Sequence, residues 1–547
     1  MAIRQFFNDP ANVVDEMLET TASLGRVALS DGASGVRIVA VERPEPGRVA
    51  VLSGGGAGHE PAHAGFVGAG MLSAAISGDI FASPSVDAVL AAIRHVSSEA
   101  GALLVVKNYT GDRLNFGLAR ERAIAEGHRV GFVVVADDIA LGSTPAARGV
   151  AGTLLVHKVA GYWASRGVPL EEVERRAREV AENLASLGMA LASSQLPGSA
   201  LERRGAELGL GIHNEPGARP VVPTSAREAL DFVLEPLLAH VDAKHGKDAP
   251  LVVFLNDLGG CSPQEMLVLA HGAMARIGKS RIRLLVKPSA AMTSIDMRGF
   301  SVTLLPADDE LVRALEAPTE APAWPGVVVP REPKRFAVRL DSVEPEGGHA
   351  SDARVASLVR AAAEALTAAE GELDALDARV GDGDAGKTFA GAARQVLAHE
   401  ASLSTGDSAR LFAELGALFS RSMGGSSGVL ASIFFTATGS ACRAGNDLPT
   451  SLSFGLERIR AYGGASPGDR TLVDALEPAL AALRESEADR RLAAAAEAAR
   501  GGAVATQSMR ARAGRSAYVP EGLTRGIADP GAEAVARIFE ALARTRI

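Results

Sequence analysis

The pattern of hydrophobic and polar positions changes once along the chain. In about the first 320 residues, short apolar runs rich in β-branched residues end in glycine or polar residues, and helix-like stretches separate them. These runs are RVAVLSGGG (48–56), ALLVVKNYTG (102–111), VGFVVVADD (130–138), PLVVFLNDLGG (250–260) and IRLLVKP (282–288). Strands that alternate with helices predict an α/β domain with a largely parallel sheet. Ligands of such domains bind beyond the carboxyl ends of the strands, so the glycine-rich run ends are the first candidates for a site.

A proline-rich segment follows the α/β pattern. It contains APTEAPAWPGVVVPREPKRF and then VEPEGG, and it predicts a semi-extended linker over residues 321–352. From 353 to 547 the strand pattern disappears, and alanine and leucine recur at helical spacing in about eight segments. The sequence therefore predicts an α/β domain over 1–320 and an all-α domain over 353–547.

Composition narrows the class of protein. Apolar residues make up 47 % of the 547 residues and charged residues 22 %, a balance typical of globular proteins. The net charge of −9 and the 4 % of aromatic residues argue against a nucleic-acid partner. The first residues lack the apolar core of a signal peptide, and no run reaches the ~18 apolar residues of a membrane helix. The two cysteines, Cys261 and Cys442, lie in different halves. We expect a cytoplasmic protein with no membrane partner.

Three polar segments follow predicted strands. The first, SGGGAGHEPAHAGFVGAGM, contains a glycine cluster and His59. Glycine lets a ligand approach the backbone closely, although the cluster is equally typical of a strand-to-turn junction. The second, VVKNYTGDRLNF, contains Lys107 and Asp112, and an acid at this place can simply cap a helix. The third, ELGLGIHNEPG, contains His213 in a tight irregular segment, where a structural histidine is the alternative.

Taken together, SGGGAGHEP, KNYTGDRLNF and GIHNEP resemble the substrate-domain motifs of the dihydroxyacetone kinase family. The resemblance implies two α/β subdomains and a histidine, His213, that bonds covalently to the carbonyl carbon of a small ketose as a hemiaminal. It also implies that Asp112 and His59 form an acid–base pair around the substrate hydroxyls. The implied substrate-binding residues are Gly55, Gly56, Ala57, Gly58, His59, Lys107, Asp112 and His213.

An acidic loop, LDALDARVGDGDAGKTF, marks the all-α region. Residues 381–388 match the string of a phosphate-binding P-loop, but a P-loop follows a buried strand and this segment follows a helical run. Asp377, Asp382 and Asp384 surround a glycine turn, and three such carboxylates suit Mg²⁺. A Ca²⁺ loop of the EF-hand type lacks support because its spacing and terminal Glu are missing. A solvated turn is the remaining alternative.

The loop also resembles the metal loop of the family's nucleotide domain, an all-helical barrel in which two Mg²⁺ bridge the ATP phosphates. Relatives that take phosphate from a phosphotransfer protein usually have histidine where this chain has Ala385, so the resemblance favours free ATP. In MGGSSGVL (423–430), amides at a helix N-terminus suit phosphate, with tight helix packing as the alternative. The nucleotide-binding residues that the resemblance implies are Thr388, Ser426, Ser427, Gly428, Thr471, Arg515, Asp529, Pro530 and Gly531.

The resemblance implies an ATP-dependent dihydroxyacetone kinase that requires Mg²⁺ and forms a homodimer. The motifs do not decide whether each helical domain acts within its own chain or on the partner subunit. A kinase for erythrulose or glyceraldehyde on the same scaffold, and a non-catalytic ligand-binding regulator, are alternatives. Cyclising lysis of FAD occurs in some members, and the motifs neither indicate nor exclude it. The pair Asn256 and Asp257 departs from the two asparagines expected of the family at this place.

Overall fold

The computed structural model describes residues 5–25, 27–31, 35–142, 147–197, 204–338, 351–423 and 425–545. The chain forms two compact units, Met1–Arg335 and Phe336–Ile547, called here the N-terminal and C-terminal units. Residues 339–350 of the predicted linker lie outside the described residues. The start of that linker packs on the N-terminal unit, where the amide of Ala323 donates to the carbonyl of Gly65 (3.0 Å).

Six strands form the first sheet of the N-terminal unit, in the order β1-β2-β4-β3-β5-β6. They are β1 (Val27–Leu29), β2 (Ile38–Val41), β3 (Ala50–Ala57), β4 (Ala74–Ile80), β5 (Ala102–Lys107) and β6 (Val130–Val135). Strands β4, β3, β5 and β6 are parallel to one another. Strand β2 pairs antiparallel with both of its neighbours, β1 and β4. This sheet matches the predicted parallel arrangement, and the carboxyl ends of β3 and β5 meet at one edge.

The second sheet has seven strands in the order β13-β11-β10-β12-β7-β8-β9. They are β7 (Ala185–Ala192), β8 (Glu207–Leu208), β9 (Arg219–Pro220), β10 (Leu251–Asp257), β11 (Ile282–Ser289), β12 (Arg298–Pro306) and β13 (Val327–Val328). Among these strands β10 and β11 alone pair in parallel, so the expectation of largely parallel pairing is wrong here. Residues 290–297 connect β11 to β12 without a helix, and so short a connection cannot carry the chain back for a parallel crossover.

Helices cover both sheets of the N-terminal unit. They are α1 (Val13–Leu24), α2 (Val86–Val96), α3 (Thr110–Ala125), α4 (Thr153–Ala164), α5 (Leu170–Asn183), α6 (Ala226–His245), α7 (Pro263–Ile277) and α8 (Asp309–Glu316), with 3-10 turns at Ala64–Phe66 and Lys279–Arg281. Alternate residues of β3 face opposite cores, since Val51 packs with α4 and α5 while Leu52 packs with α2 and α3. Helix α4 is buried on every side apart from Trp163, which explains its mostly apolar sequence, although Thr153, His157 and Lys158 are buried there too.

Among the described residues of the C-terminal unit, all regular secondary structure is helical. Its helices are α9 (Ala353–Ala368), α10 (Glu370–Asp377), α11 (Ala385–His399), α12 (Ser408–Ser422), α13 (Gly425–Arg443), α14 (Leu448–Gly463), α15 (Val473–Glu485), α16 (Arg491–Ala505), α17 (Glu521–Thr524) and α18 (Pro530–Arg544), with 3-10 turns at Glu400–Ser402, Thr506–Ser508 and Arg515–Tyr518. Eight of these helices have 13 residues or more, which agrees with the predicted eight segments.

Small residues let these helices approach closely. The buried alanines of α16, among them Ala495, Ala499 and Ala503, pack with α15 and α18. A second cluster joins α9, α11 and α12. Across the part of the chain that the structure describes, we find no helix with both the length and the apolar character that a membrane span requires.

Candidate active site and metal loop

The end of β3 is glycine because neighbouring backbone approaches it closely. A Cβ on Gly54 would overlap the carbonyl of Ile76 on β4, and one on Gly56 would lie 2.6 Å from the amide nitrogen of Ala82. Gly58 has a φ of +100°, which other residues rarely adopt. Packing and backbone conformation alone therefore require these glycines, and they bring the strand end, including the buried Ala57, to the edge of the sheet.

Gly55 faces two charged side chains. A Cβ at this position would lie 3.2 Å from Nζ of Lys107 and 3.5 Å from Oδ2 of Asp112. Lys107 ends β5, and Asp112 lies in the first turn of α3; the helix cap is Tyr109, so Asp112 is not a capping residue. Both side chains are almost fully buried, and neither Lys107 Nζ nor Asp112 Oδ1 has a hydrogen-bond partner among the described residues. Buried charged groups whose polar atoms lack partners are costly in a structural role and typical of a functional site.

His59 and His213 are in direct contact although 154 positions separate them. Their Nε2 atoms are 3.0 Å apart, and their rings meet edge to face. His59 is fully buried, whereas the side chain of His213 is 16 % exposed. Phe81 stacks on His59 at a centroid distance of 5.3 Å, and Tyr109 contacts the His213 ring edge to face at 4.4 Å. The aromatic rings leave His213 as the accessible member of the pair.

In both histidines, Nδ1 forms a hydrogen bond with an oxygen atom. Nδ1 of His59 donates to the carbonyl of Thr293 (2.8 Å), and Nδ1 of His213 donates to the carboxylate of Glu215 (3.3 Å). Each neutral imidazole carries one N–H, so these bonds direct the remaining lone pair of each ring to Nε2.

The segment that holds His59 is itself fixed by a buried asparagine. Asn256 at the end of β10 donates to the carbonyl of Met292 (2.8 Å) and accepts from the amides of Ala291 (3.1 Å) and Met292 (2.9 Å). In the same segment, the hydroxyl of Ser294 donates to the carbonyl of Ile212, beside His213 (2.6 Å). One backbone segment thus positions both histidines.

Asp257 also has a structural explanation. Its Oδ1 accepts from the amides of Gly259 (2.8 Å) and Cys261 (3.1 Å). An asparagine oxygen can accept the same bonds, so the departure from a second asparagine does not alter this turn.

Burial dominates the electrostatics of this site. Burial, and then the charge of Lys107, hold the pKa of His59 well below its ordinary value. Burial also lowers the pKa of Lys107, and the carboxylates of Asp112 and Glu215 oppose that shift. Burial acts to raise the pKa of Glu215, but hydrogen bonds from the ring and amide of His213 help to bring it down to about 2. Glu215 is therefore an ionised partner for His213 at neutral pH.

In the C-terminal unit the three aspartates of the acidic loop converge. One carboxylate oxygen from each of Asp377, Asp382 and Asp384 lies within 4.8 Å of the other two. Asp377 is buried, and its Oδ2 accepts from the amides of Gly383 (2.9 Å) and Asp384 (3.0 Å), while Asp382 and Asp384 are exposed. The loop turns through Gly383 at a φ of +79°. Three hard oxygen donors with room for water fit Mg²⁺.

The implied nucleotide-contact residues occupy helix starts. Thr388 lies in the first turn of α11, and its amide donates to the carbonyl of Asp384 (3.0 Å). Gly428 packs so tightly that a Cβ would overlap Met423, so the packing alternative explains this glycine. Ser427 lies beside it in the first turn of α13. The side chains of Ser426 and Arg515 lie outside the described residues.

Two further contact segments of the C-terminal unit lie together. A Cβ on Gly531 would lie 3.3 Å from Cβ of Leu472, the residue after Thr471. Asp529 caps α18 by accepting from the amide of Ala532 (2.8 Å), and Pro530 is the first residue of that helix. Burial raises the pKa of Asp529 to about 6.

Sequence reasoning missed several residues of these sites. Phe81 and Thr293 lie outside the motifs, and each contacts His59 from a different segment of the chain. Arg470 is fully buried at a φ of +63°, and it donates to the carbonyl of Ile527 (2.9 Å). Tyr109 lies within the motif KNYTGDRLNF, and an aromatic residue at that place was the one sign that it contacts the site.

Comparisons with known proteins agree with the motifs. Residues 22–323 match the Dak1 domain and residues 379–544 match the DAK2 domain. The chain is 43 % identical to a dihydroxyacetone kinase of Citrobacter freundii, over 99 % of each chain. It is 41 % identical to a human triokinase/FMN cyclase, over 91 % of each chain.

Solved structures give the same result. The crystal structure of the C. freundii dihydroxyacetone kinase in complex with AMP-PNP and Mg²⁺ matches with a TM-score of 0.77 at 42 % identity, over 100 % of both chains. Domain order, fold and sequence therefore agree over the full length. The chain belongs to the dihydroxyacetone kinase family.

Proposed function

We propose that this protein is an ATP-dependent dihydroxyacetone kinase that holds its ketone covalently on His213. The observation that supports this most directly is the contact of the accessible His213 with His59 at 3.0 Å. The same unit holds Lys107 Nζ and Asp112 Oδ1, which are buried and have no hydrogen-bond partner within the described part of the chain. The 43 % identity to the dihydroxyacetone kinase of C. freundii supports the same activity for this chain.

Capture of the ketone follows from the ring contacts of His213. The Nδ1–H of His213 donates a hydrogen bond to Glu215, so the lone pair of His213 lies on Nε2. Attack of that lone pair on the carbonyl carbon forms the C–N bond, and the π electrons of the carbonyl move to its oxygen. The imidazole then loses its Nδ1 proton, the oxygen gains one, and the product is a neutral hemiaminal. The ionised Glu215 stabilises the positive charge that develops on the ring.

Phosphoryl transfer requires an ionised group close to the attacking hydroxyl. Asp112, whose Oδ1 lacks a partner, is suited to accept the hydroxyl proton, and Lys107 is suited to donate to substrate oxygens. Gly55, Gly56 and Ala57 on β3, with Gly58 after it, would contact the substrate, and His59 would orient the captured ketone. A polyol such as glycerol lacks a carbonyl, so this arrangement selects for ketones.

The C-terminal unit would supply ATP and Mg²⁺. Asp377, Asp382 and Asp384 would hold Mg²⁺, which neutralises phosphate charge when bound. The start of α13 and the segments around Thr471 and Asp529 would contact the nucleotide. The C. freundii structure with AMP-PNP and Mg²⁺ supports this assignment.

We also propose the organisation that the motifs implied. A ketose-binding domain spans 1–320, a linker spans 321–352 and a nucleotide-binding domain spans 353–547. The enzyme would act in the cytoplasm as a homodimer, with each helical domain acting either within its own chain or on the partner subunit. Two free cysteines are consistent with a reducing compartment.

The test is ADP release with Mg-ATP and a panel of dihydroxyacetone, D- and L-erythrulose, D-glyceraldehyde and glycerol. We expect turnover with dihydroxyacetone and none with glycerol. A preference for erythrulose or glyceraldehyde would keep the mechanism but change the substrate, and no ADP from any of them would favour the regulator alternative.

Covalent capture has its own test. We expect His213→Ala to abolish ketose phosphorylation, whereas His240→Ala, which removes an exposed histidine of α6, keeps it. In the intact protein, the carbonyl carbon of labelled dihydroxyacetone should give a tetrahedral-carbon NMR signal that is absent from His213→Ala. Near-normal turnover by His213→Ala would contradict the covalent role.

A further inference from the structure

A second group of buried polar side chains lies close to Lys107. His63 follows β3, and His157 lies on the buried helix α4; their rings meet edge to face at a centroid distance of 5.2 Å. Lys107 lies on the same face of β5 as Val105, which packs in one core with α4. The charge of Lys107 also contributes to lowering the pKa of both rings, so the three side chains share one region of the interior. Neither histidine belongs to the motifs that identify the substrate site.

The polar atoms of this group have no partners among the described residues. Both nitrogens of His63 and of His157 lack a hydrogen bond, and so do Nζ of Lys107 and the hydroxyl of Thr153. Thr153 lies one helical turn before His157, on the same face of α4. All four side chains are at most 3 % exposed.

Such a cluster is unstable unless something satisfies it. Each unsatisfied buried donor or acceptor lowers stability, and ordered water satisfies such groups in folded proteins where no protein partner does. The chemistry of the members is complementary. The lysine ammonium offers three donors and no acceptor, while each neutral imidazole offers one acceptor and one donor. Water can accept from the first and donate to the second.

We propose that His63 and His157 are positioning residues for Lys107, and that they bind ordered water which accepts hydrogen bonds from its ammonium group. The water network fixes Nζ beside Gly55 and Asp112, where the ammonium can donate to substrate oxygens. The two histidines thereby replace part of the hydration that Lys107 loses in the interior. This inference rests on the proposed function in so far as it assigns Lys107 to the substrate.

The proposal predicts a change in pH dependence. Burial lowers the pKa of Lys107, and the carboxylates of Asp112, Glu215, Glu60 and Asp137 act against that shift. Removal of the water links would lower the pKa further, because the charged form loses solvation. A reaction that requires the charged lysine would then decline at a lower pH on its alkaline side.

The experiment compares His157→Phe, which removes the hydrogen bonds, with His157→Asn, which keeps polar atoms. The readouts are kcat and KM for dihydroxyacetone from about pH 6 to about pH 9.5, with thermal unfolding of the full chain as the folding control. For His157→Phe we expect the alkaline limb of kcat/KM to move down by about one pH unit, which is about a tenfold loss on that limb and a much smaller loss near pH 6.5. His157→Asn should restore most of the wild-type profile. If His157→Phe does not fold, the same comparison is made with His63→Phe and His63→Asn.

An equal loss at every pH, or the same alkaline limb in the Phe variant and the wild type, would overturn the proposal and leave the histidines a packing role. A crystal structure of the wild type at a resolution that shows water gives a second, activity-independent outcome. Water that bridges Nζ of Lys107 to either imidazole supports the proposal, and a dry cluster contradicts it. Because this measurement needs no turnover, failure of the proposed kinase activity and failure of the inference are distinguishable.

Discussion

The two units place their acidic groups in opposite environments. In the N-terminal unit Asp112 is 2 % exposed, and it lies with Lys107 at the end of a glycine-lined strand. In the C-terminal unit Asp382 and Asp384 are exposed on a loop, and only Asp377 is buried. The first site is fixed by packing before any ligand arrives. The second brings three like charges together, and they repel one another until a cation neutralises them.

This difference assigns different tasks to the two sites. A buried carboxylate beside a buried ammonium gains strong, directed interactions with a small substrate because little water competes. An exposed loop of carboxylates can load and release a hydrated metal with its nucleotide. We therefore expect loss of a charge in the N-terminal site to affect turnover, and loss of a charge in the loop to affect the metal requirement.

The largest expected effect follows from Asp112→Asn. The amide cannot accept the hydroxyl proton, so we expect kcat to fall by about 10²–10⁴-fold, as for loss of a general base. The KM for Mg-ATP should change little, because the proposed nucleotide contacts lie in the C-terminal unit. The measurement is steady-state ADP release, with Glu121→Gln on the exposed side of α3 as the matched control. A loss confined to KM would show that Asp112 binds substrate without taking the proton.

A smaller effect is expected from Asp384→Asn in the metal loop. One anionic ligand is lost, so the Mg²⁺ concentration for half-maximal activity should rise by about 10–100-fold, while kcat recovers at saturating Mg²⁺. Glu364→Gln, which removes an exposed acid from α9, is the control. Activity should be titrated with Mg²⁺ at fixed ATP for both variants. An unchanged Mg²⁺ requirement would favour the solvated-turn alternative for this loop.

The sequence predicted those features that depend on local patterns. Apolar runs located β3, β5 and β10, and the spacing of alanine and leucine located the long helices of the C-terminal unit. The family resemblance is confirmed, and so is the fold class. Asp377, Asp382 and Asp384 were found because they lie within one loop, where spacing in the sequence is nearly spacing in space. The roles assigned to the individual site residues stay predictions.

Long-range features could not be predicted in this way. The direction of β12 depends on a short connection without a helix, and the contact of His59 with Thr293 spans 234 positions. Phe81 and His157 look like ordinary members of a strand end and an apolar helix. Their importance depends on which side chains the fold brings against them, and no local pattern carries that information.

The smallest effect is expected from a substitution at Asp257 that keeps the hydrogen bonds of its side chain to the backbone. Asp257 accepts from the amides of Gly259 and Cys261, and Asp257→Asn keeps an oxygen in the same place. Both hydrogen bonds remain, and they are only weakened because a neutral acceptor replaces a charged one. We therefore expect the free energy of unfolding to change by less than about 1 kcal/mol and kcat to stay within about twofold.

The thiol of Cys261 gives this variant a sensitive readout. Burial first, and then the charge of Asp257, raise the pKa of Cys261 to about 12. Removal of that charge should lower the thiol pKa only in part, because the burial remains, so its reaction with a thiol reagent at alkaline pH should become modestly faster. Cys442, in the other unit, should react at an unchanged rate and serves as the internal control. A large loss of activity in Asp257→Asn would mean that the carboxylate charge itself matters at the end of β10, and that backbone contacts alone do not explain this position.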